Sequence, residues 1–294
     1  MKEFFEVNVN MYDCRKNYWL VRPASLNKPH DHSVMFCTRE HLSEVGSLGT
    51  VNECLVFWPS GEEIPEDLKD KHVFVLADNP RQAYAMFYAE NGITYLPQPC
   101  EYEVINGAYI AKGAVIGENT IIFPGAYIDK DVVIGRNCYI SSGVKIEGSV
   151  SIGDNVVIRD NAVIGSDGLT TMRKENGSPA TIPQFGGVLI EDDVWVGANT
   201  VIARGAIDDT VIRQGSKIDN CCFISHNVQM GKNTFVVGET IMFGSSSTGE
   251  QAYISGNSTI REGHHVGSKA LVGMGSVVVK NVPDGAIVKG NPAR

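Results

Sequence analysis

His226, in the run ISHNV, is the residue of this 294-residue chain whose chemistry stands out first. An imidazole titrates near ~6.5 and can take or give a proton at neutral pH. A lone histidine, however, fills a core or a surface as readily as it moves protons. Three other positions stand at telling distances from it. Asp219 and Asn220 lie seven and six residues earlier, and Gly244 lies eighteen residues later. Glycine can leave its backbone N–H open to a ligand, where it can donate to a developing negative oxygen. The pair His264–His265 is the only other histidine past residue 72, and its spacing from His226 suits a three-histidine zinc site poorly. Seven cysteines (Cys14, Cys37, Cys54, Cys100, Cys138, Cys221, Cys222) are odd in number and form no CxxC pair. Neither a disulfide framework nor a zinc site is expected of them.

Whether such residues meet depends on the elements that carry them, and from residue 105 onward the sequence repeats every six residues. Ile110, Ile116, Ile122, Ile128, Ile134, Ile140, Ile146, Ile152, Ile158 and Ile164 follow that spacing without a break. A helix repeats near ~3.6 and a half-buried strand near ~2, so neither explains it. Six residues per flat side, with three sides per coil, do explain it. Each isoleucine then points inward, and its β-branched shape suits a strand about 4.8 Å from the next. The steps Gly117 to Asn119, Gly135 to Asn137 and Gly153 to Asn155 place Gly and Asn at the corners, where left-handed backbone angles are needed. Burying one isoleucine contributes roughly 1.5–3 kcal/mol, so the column outweighs local propensity.

Residues 165–187 interrupt the series with a polar, Gly- and Pro-containing loop. The column resumes at Ile190, Val196 and Ile202 and continues, after a four-residue insertion, through Ile212, Ile218, Ile224, Met230, Val236 and Met242. Thr248 breaks the apolar run before Ile254, Ile260, Val266, Val272 and Val278, for about eight coils. The expected fold is mainly β: a left-handed parallel β-helix over 105–280, followed by a tail at 281–294. A β-sandwich would alternate with a period of ~2 and is set aside. One coil is three hexads, so Gly244 falls one layer beyond His226 at the same corner, and Asp219 and Asn220 fall one hexad before it.

Residues 1–104 lack the repeat and read as a small α/β domain. VNECLVFW (51–58) and HVFVLA (72–77) read as strands. Asn79 can cap, and Pro80 can open, a helix through PRQAYAMFYAEN that stops at Gly92. A formal charge of −9 opposes general affinity for nucleic acid or anionic membrane. No run of ~18 apolar residues could span a bilayer, and MKEFFEVNVN lacks the features of a secretory signal. A cytoplasmic protein is expected.

The stretch GANTVIARGAIDDTVIRQGSKIDNCCFISHNVQMGKNT (197–234) closely resembles the heart of the UDP-3-O-acylglucosamine N-acyltransferases of lipid A synthesis. VIGSDG (163–168) and IPQFG (182–186) resemble that family's long-loop boundaries, and MFCTREHL (35–42) its N-terminal nucleotide-recognition domain. The resemblance implies a homotrimer, active sites between neighbouring β-helices, and His226 as the base that deprotonates an attacking sugar amine. A neutral amine that attacks a thioester must lose a proton, and general-base help is worth typically ~10²–10⁴ in rate. The same resemblance makes the Gly244 amide the oxyanion donor and matches Asp219 and Asn220 to the family's KxDN step. Asp219 is expected to orient the imidazole or hold the amine. Asp167 and Gln184, at the two ends of the long loop, could reach a neighbouring subunit, and Phe36 could contact a base.

Departures from the family guide the choice of substrate. Its aspartate is Ala203 here, its second aromatic is Leu42 with His41 adjacent, and its second active-site histidine aligns with Gly263. His264 and His265 come one and two positions late, and His264 is kept as a substrate-binding candidate. The family continues into C-terminal helices associated with acyl carrier protein, whereas VVVKNVPDGAIVKGNPAR (277–294) resembles the tails of CoA-dependent sugar acetyltransferases. Lys280, Lys289 and Arg294 are accordingly candidates for CoA phosphates. The expectation is N-acyl transfer from acetyl-CoA or another acyl-CoA to a UDP- or dTDP-linked amino sugar for surface polysaccharide synthesis. The rivals are lipid A acyltransfer from acyl carrier protein, a zinc hydratase on the same scaffold, and a non-catalytic sugar-binding β-helix.

Overall fold

The hexad column read from the sequence is a column in space. In the computed structural model, which describes residues 3–94, 100–174 and 176–294, Ile128, Ile134, Ile140, Ile146, Ile152, Ile158 and Ile164 are all buried, and the series continues from Ile190 to Val278. Ile110, Ile116 and Ile122, in the first coil, are only partly buried. The strands are mostly two or three residues long and form three faces, of eight, nine and nine parallel strands. Partners lie a coil apart: Ile122 pairs with Ile140, Ile140 with Ile158, and Ile158 with Val196 across the long loop. This is the left-handed parallel β-helix that the period called for. An antiparallel strand, Tyr102–Ile105, pairs with Ala108–Ala111 at its first coil.

The corner residues divide their work. Asn119, Asn137 and Asn155 adopt φ of 60°, 55° and 58°, the left-handed region. Gly117, Gly135 and Gly153 do not; they allow close approach instead. A Cβ on Gly135 would meet Asp154 Oδ1 at 2.5 Å, and Cβ atoms on Gly117 and Gly153 would strike the next coil's backbone or Asp192. Thr248, the break in the apolar column, is also buried. Its hydroxyl accepts the Gly231 N–H at 2.9 Å, so the polar group is satisfied in place. Beyond residue 280, Val282 bridges to Val266 and Ile287–Val288 pairs with Leu271–Val272, so the chain goes on coiling.

The chain divides into two compact units: Met1–Leu96 with Leu169–Phe185, and Pro97–Gly168 with Gly186–Arg294. In the first, four parallel strands run in sequence order: Arg22–Pro23, Ser33–Phe36, Leu55–Pro59 and Val73–Ala77. Asn79 accepts the Gln82 N–H at 3.0 Å and caps the helix Pro80–Glu90, as the sequence predicts. The polar excursion forms an antiparallel hairpin, Thr171–Arg173 with Pro179–Thr181, and ends in buried Ile182 and Phe185.

Candidate active site

The pairings Val201↔Phe223, Phe223↔Ile241, Ile241↔Thr259 and Thr259↔Val277, carried forward three residues, stack Arg204, His226, Gly244, Glu262 and Lys280 at one corner. His226 is half-buried there. Gly244 lies against its ring: a Cβ on Gly244 would sit 2.5 Å from Cε1 and 2.7 Å from Nε2. Gly168, from the end of VIGSDG, also packs on the residue, its added Cβ falling 2.8 Å from His226 Cβ and 2.9 Å from Cδ2. Two glycines therefore make the slot for the imidazole, and any side chain at either place would push it out.

The backbone at Gly244 is suited to hold a negative oxygen. Phe243 N–H donates to Ile260 O at 3.0 Å and Ser245 N–H to His226 O at 2.9 Å. Among the described residues, the Gly244 N–H between them makes no hydrogen bond, which leaves a donor on the residue that faces Nε2. On the other edge of the ring, Nδ1 lies 3.1 Å from Asn227 Oδ1.

One layer below, Arg204 is 3% exposed. Its Nε donates to Gly165 O at 2.9 Å and lies 3.0 Å from Asp167 Oδ1 in an ion pair, and its guanidinium fits over Gly148, where a Cβ would lie 3.0 Å from Cζ. The buried arginine thus ties down the turn that brings Gly168 to His226. Ala203, where the family has an aspartate, is buried.

Sequence reasoning missed Asn227, Gly168 and Arg204. The eighteen-residue step, lengthened by the four-residue insertion, gives 22 and leads from His226 to Arg204. No comparable spacing leads to Gly168.

The other expected site residues are scattered. Asp219 and Asn220 occupy the preceding corner, and their side chains are engaged in holding coils together. Asp219 accepts the N–H groups of Asn220 at 2.8 Å and Gly238 at 3.1 Å, and Asn220 accepts that of Ala198 at 2.7 Å. Asp219 therefore does not orient the imidazole within one chain; Asn227 is the partner. Gln184 is buried, with Nε2 donating to Ile182 O at 3.0 Å, so it is not presented outward. Phe36 packs on Tyr84, ring centroids 4.9 Å apart. A cavity of that unit, about 750 Å³, is lined by Tyr12, Phe57, Asn79, Gln82, Glu90 and Lys174 among others.

His264 donates from Nδ1 to Glu262 O at 2.7 Å, two coils beyond His226. Gly263, where the family has its second histidine, sits at a corner with φ of 68°. Lys280, Lys289 and Arg294 are all exposed; the last two pair through their backbones, at 3.1 and 3.2 Å. Among the described residues, no three His, Cys, Asp or Glu side chains gather to hold a metal ion. Burial pushes the Cys222 thiol up to about 11, which keeps it protonated and a poor nucleophile.

Comparison with known proteins bears on the fold and the family resemblance. The bacterial transferase hexapeptide family (six repeats) matches residues 113–148 and 131–166. The chain is 55% identical over 78 residues to a UDP-3-O-acylglucosamine N-acyltransferase of Francisella tularensis, covering 26% of this chain and 23% of that protein. It is 37% identical over 139 residues to the protein of that name from Methylobacterium nodulans, covering 47% and 39%. The matches therefore span well under half the length of these relatives. The resemblance read from the sequence is borne out over that partial length. Among solved structures, the UDP-N-acetylglucosamine acyltransferase of Campylobacter jejuni superposes with a TM-score of 0.58 at 22% identity, over 65% of this chain and 73% of that one. At that identity the likeness establishes the fold.

Proposed function

We propose that this hexapeptide-repeat chain is an N-acyltransferase that moves an acyl group from a thioester donor to the amine of a nucleotide-linked amino sugar. The observation that carries the reading is the corner where His226 Nε2 faces Gly244, whose amide has no other partner among the described residues. The names of the partial relatives supply the reaction class.

In this reading the neutral sugar amine attacks the thioester carbon, forming the C–N bond, and the oxygen becomes negative. The Gly244 N–H stabilises that oxygen, an interaction worth about 10²–10³ in rate at comparable sites. Nε2 takes the amine proton, and the imidazolium returns a proton to the thiolate as the C–S bond breaks.

Acyl-CoA is the favoured donor, with acyl carrier protein as the alternative. Lys280 stands three coils from His226 on the same corner, about 14 Å along the stack at ~4.8 Å per coil. It could hold a phosphate while the thiol end reaches the imidazole. The cavity lined by Tyr12 and Phe57 supports a nucleotide-reading role for the N-terminal unit. A homotrimer is the proposed assembly, supported by the exposed apolar residues Ile121, Trp195, Phe235, Tyr253 and Ile287 on one face of the coil. Thiol release from acetyl-CoA, and from an acylated carrier protein, across a panel of UDP- and dTDP-linked amino sugars tests the proposal. Amine-dependent release supports it; silence across the panel with both donors favours a sugar-binding module.

A further inference from the structure

We infer that Asn227 and the lengthened hexad at residues 203–212 fix the tautomer of His226, so that Nε2 alone is free to accept a proton. This rests on the reading of His226 as the base and adds the part of the chain that sets its polarity.

The amide of Asn227 is held in one orientation. Its Oδ1 accepts the Ala206 N–H at 3.0 Å, and its Nδ2 donates to Asp208 O at 2.9 Å. A backbone N–H can only donate and a backbone carbonyl can only accept. Flipping the amide would set donor against donor and acceptor against acceptor at both contacts. Oδ1 must therefore face outward as an acceptor, and it is this atom that lies 3.1 Å from His226 Nδ1. Two lone pairs cannot share that contact, so Nδ1 carries the hydrogen and Nε2, on the part of the ring that packs against Gly244, keeps its lone pair. A free imidazole side chain favours the opposite tautomer, which would put a hydrogen where the amine's proton must go.

Ala206 and Asp208 belong to the segment that lengthens one hexad from six residues to ten, between Ile202 and Ile212. The insertion is thus a strap whose backbone reaches up one layer to read Asn227. Thr210, at its end, accepts the Asn227 N–H at 2.9 Å and helps hold that residue at φ of 60°. Asn227 is a positioning residue: it touches the base and not the reacting atoms.

Nitrogen-15 NMR of histidine-labelled protein, at a pH where the imidazole is neutral, reads the tautomer without substrate. The wild type should show His226 with Nδ1 protonated and Nε2 bare. Asn227→Gly removes the amide while tolerating the left-handed corner, and it should shift the majority to Nε2–H. Asn227→Asp keeps an acceptor and should keep Nδ1–H.

A wild type dominated by Nε2–H overturns the inference, as does an Asn227→Gly spectrum like the wild type. Should Asn227→Gly fail to fold, the wild-type and Asn227→Asp spectra decide. Where an amine substrate turns over, Asn227→Gly should lower kcat about 10- to 100-fold with KM unchanged. A locked tautomer with no acylated amine would sink the acyltransfer reading and leave the lock standing. Full activity with Nε2–H in the majority would sink the lock alone.

Discussion

His72 and His226 are the same side chain in two environments, and the contrast shows what separates a structural histidine from a chemical one. His72 is 2% exposed in the N-terminal unit. Its Nδ1 accepts the Cys54 N–H at 3.3 Å, and its Nε2 donates to Leu48 O at 3.0 Å. Both nitrogens are used, and burial holds its pKa below the usual histidine value against a weaker pull from the Leu48 carbonyl. His226 has one nitrogen engaged by Asn227 and the other turned to a glycine. A fold makes a base by satisfying one edge of the ring and leaving no protein partner on the other.

The sharpest way to break the contrast is to remove each ring in turn. His226→Ala should lower kcat about 10²–10⁴-fold with an unchanged melting temperature; an unchanged rate in a thiol-release assay would show that another group takes the proton. Gly244→Ala comes next. Its Cβ would collide with the imidazole, and a loss of about 10- to 10³-fold is expected, with binding of the nucleotide sugar retained by calorimetry.

His72→Ala should do the reverse. It strands the Cys54 N–H and opens a cavity, at a cost of about 2–4 kcal/mol in denaturant unfolding. Activity per folded molecule should not change.

The smallest effect is in pH. Because the folded pKa of His72 lies below the unfolded one, its contribution to stability is complete above about pH 6.5 and is lost as the pH falls through the folded value. Denaturation of the full chain between about pH 7 and 5 should show that slope, and His72→Ala should flatten it.

Much of the coil was legible because its physics repeats. One inward side chain per hexad sets the register, and even Thr248 holds its place in the column by donating no apolar surface but satisfying Gly231. The meeting of His226 and Gly244 followed from the same count. Asn227 stood next to His226 in plain view, yet its role depends on backbone atoms of Ala206 and Asp208, which no residue type announces. Gly168 reaches the ring from 58 positions away, through a turn held by Arg204. Asp219 shows the limit of residue type: a corner aspartate that accepts backbone N–H groups has the same signature in sequence as one aimed at a ligand. Phe36 is suggested by its type alone, whereas Tyr12 and Phe57 line a cavity of the same unit.

A structure of the protein with a non-hydrolysable acyl-CoA analogue and the nucleotide sugar it acylates tests the central claim most directly. The amine nitrogen is expected within about 3.2 Å of His226 Nε2, and the acyl oxygen within about 3.1 Å of the Gly244 nitrogen. An acyl carbon bound at another corner, beyond the reach of both atoms, would contradict it.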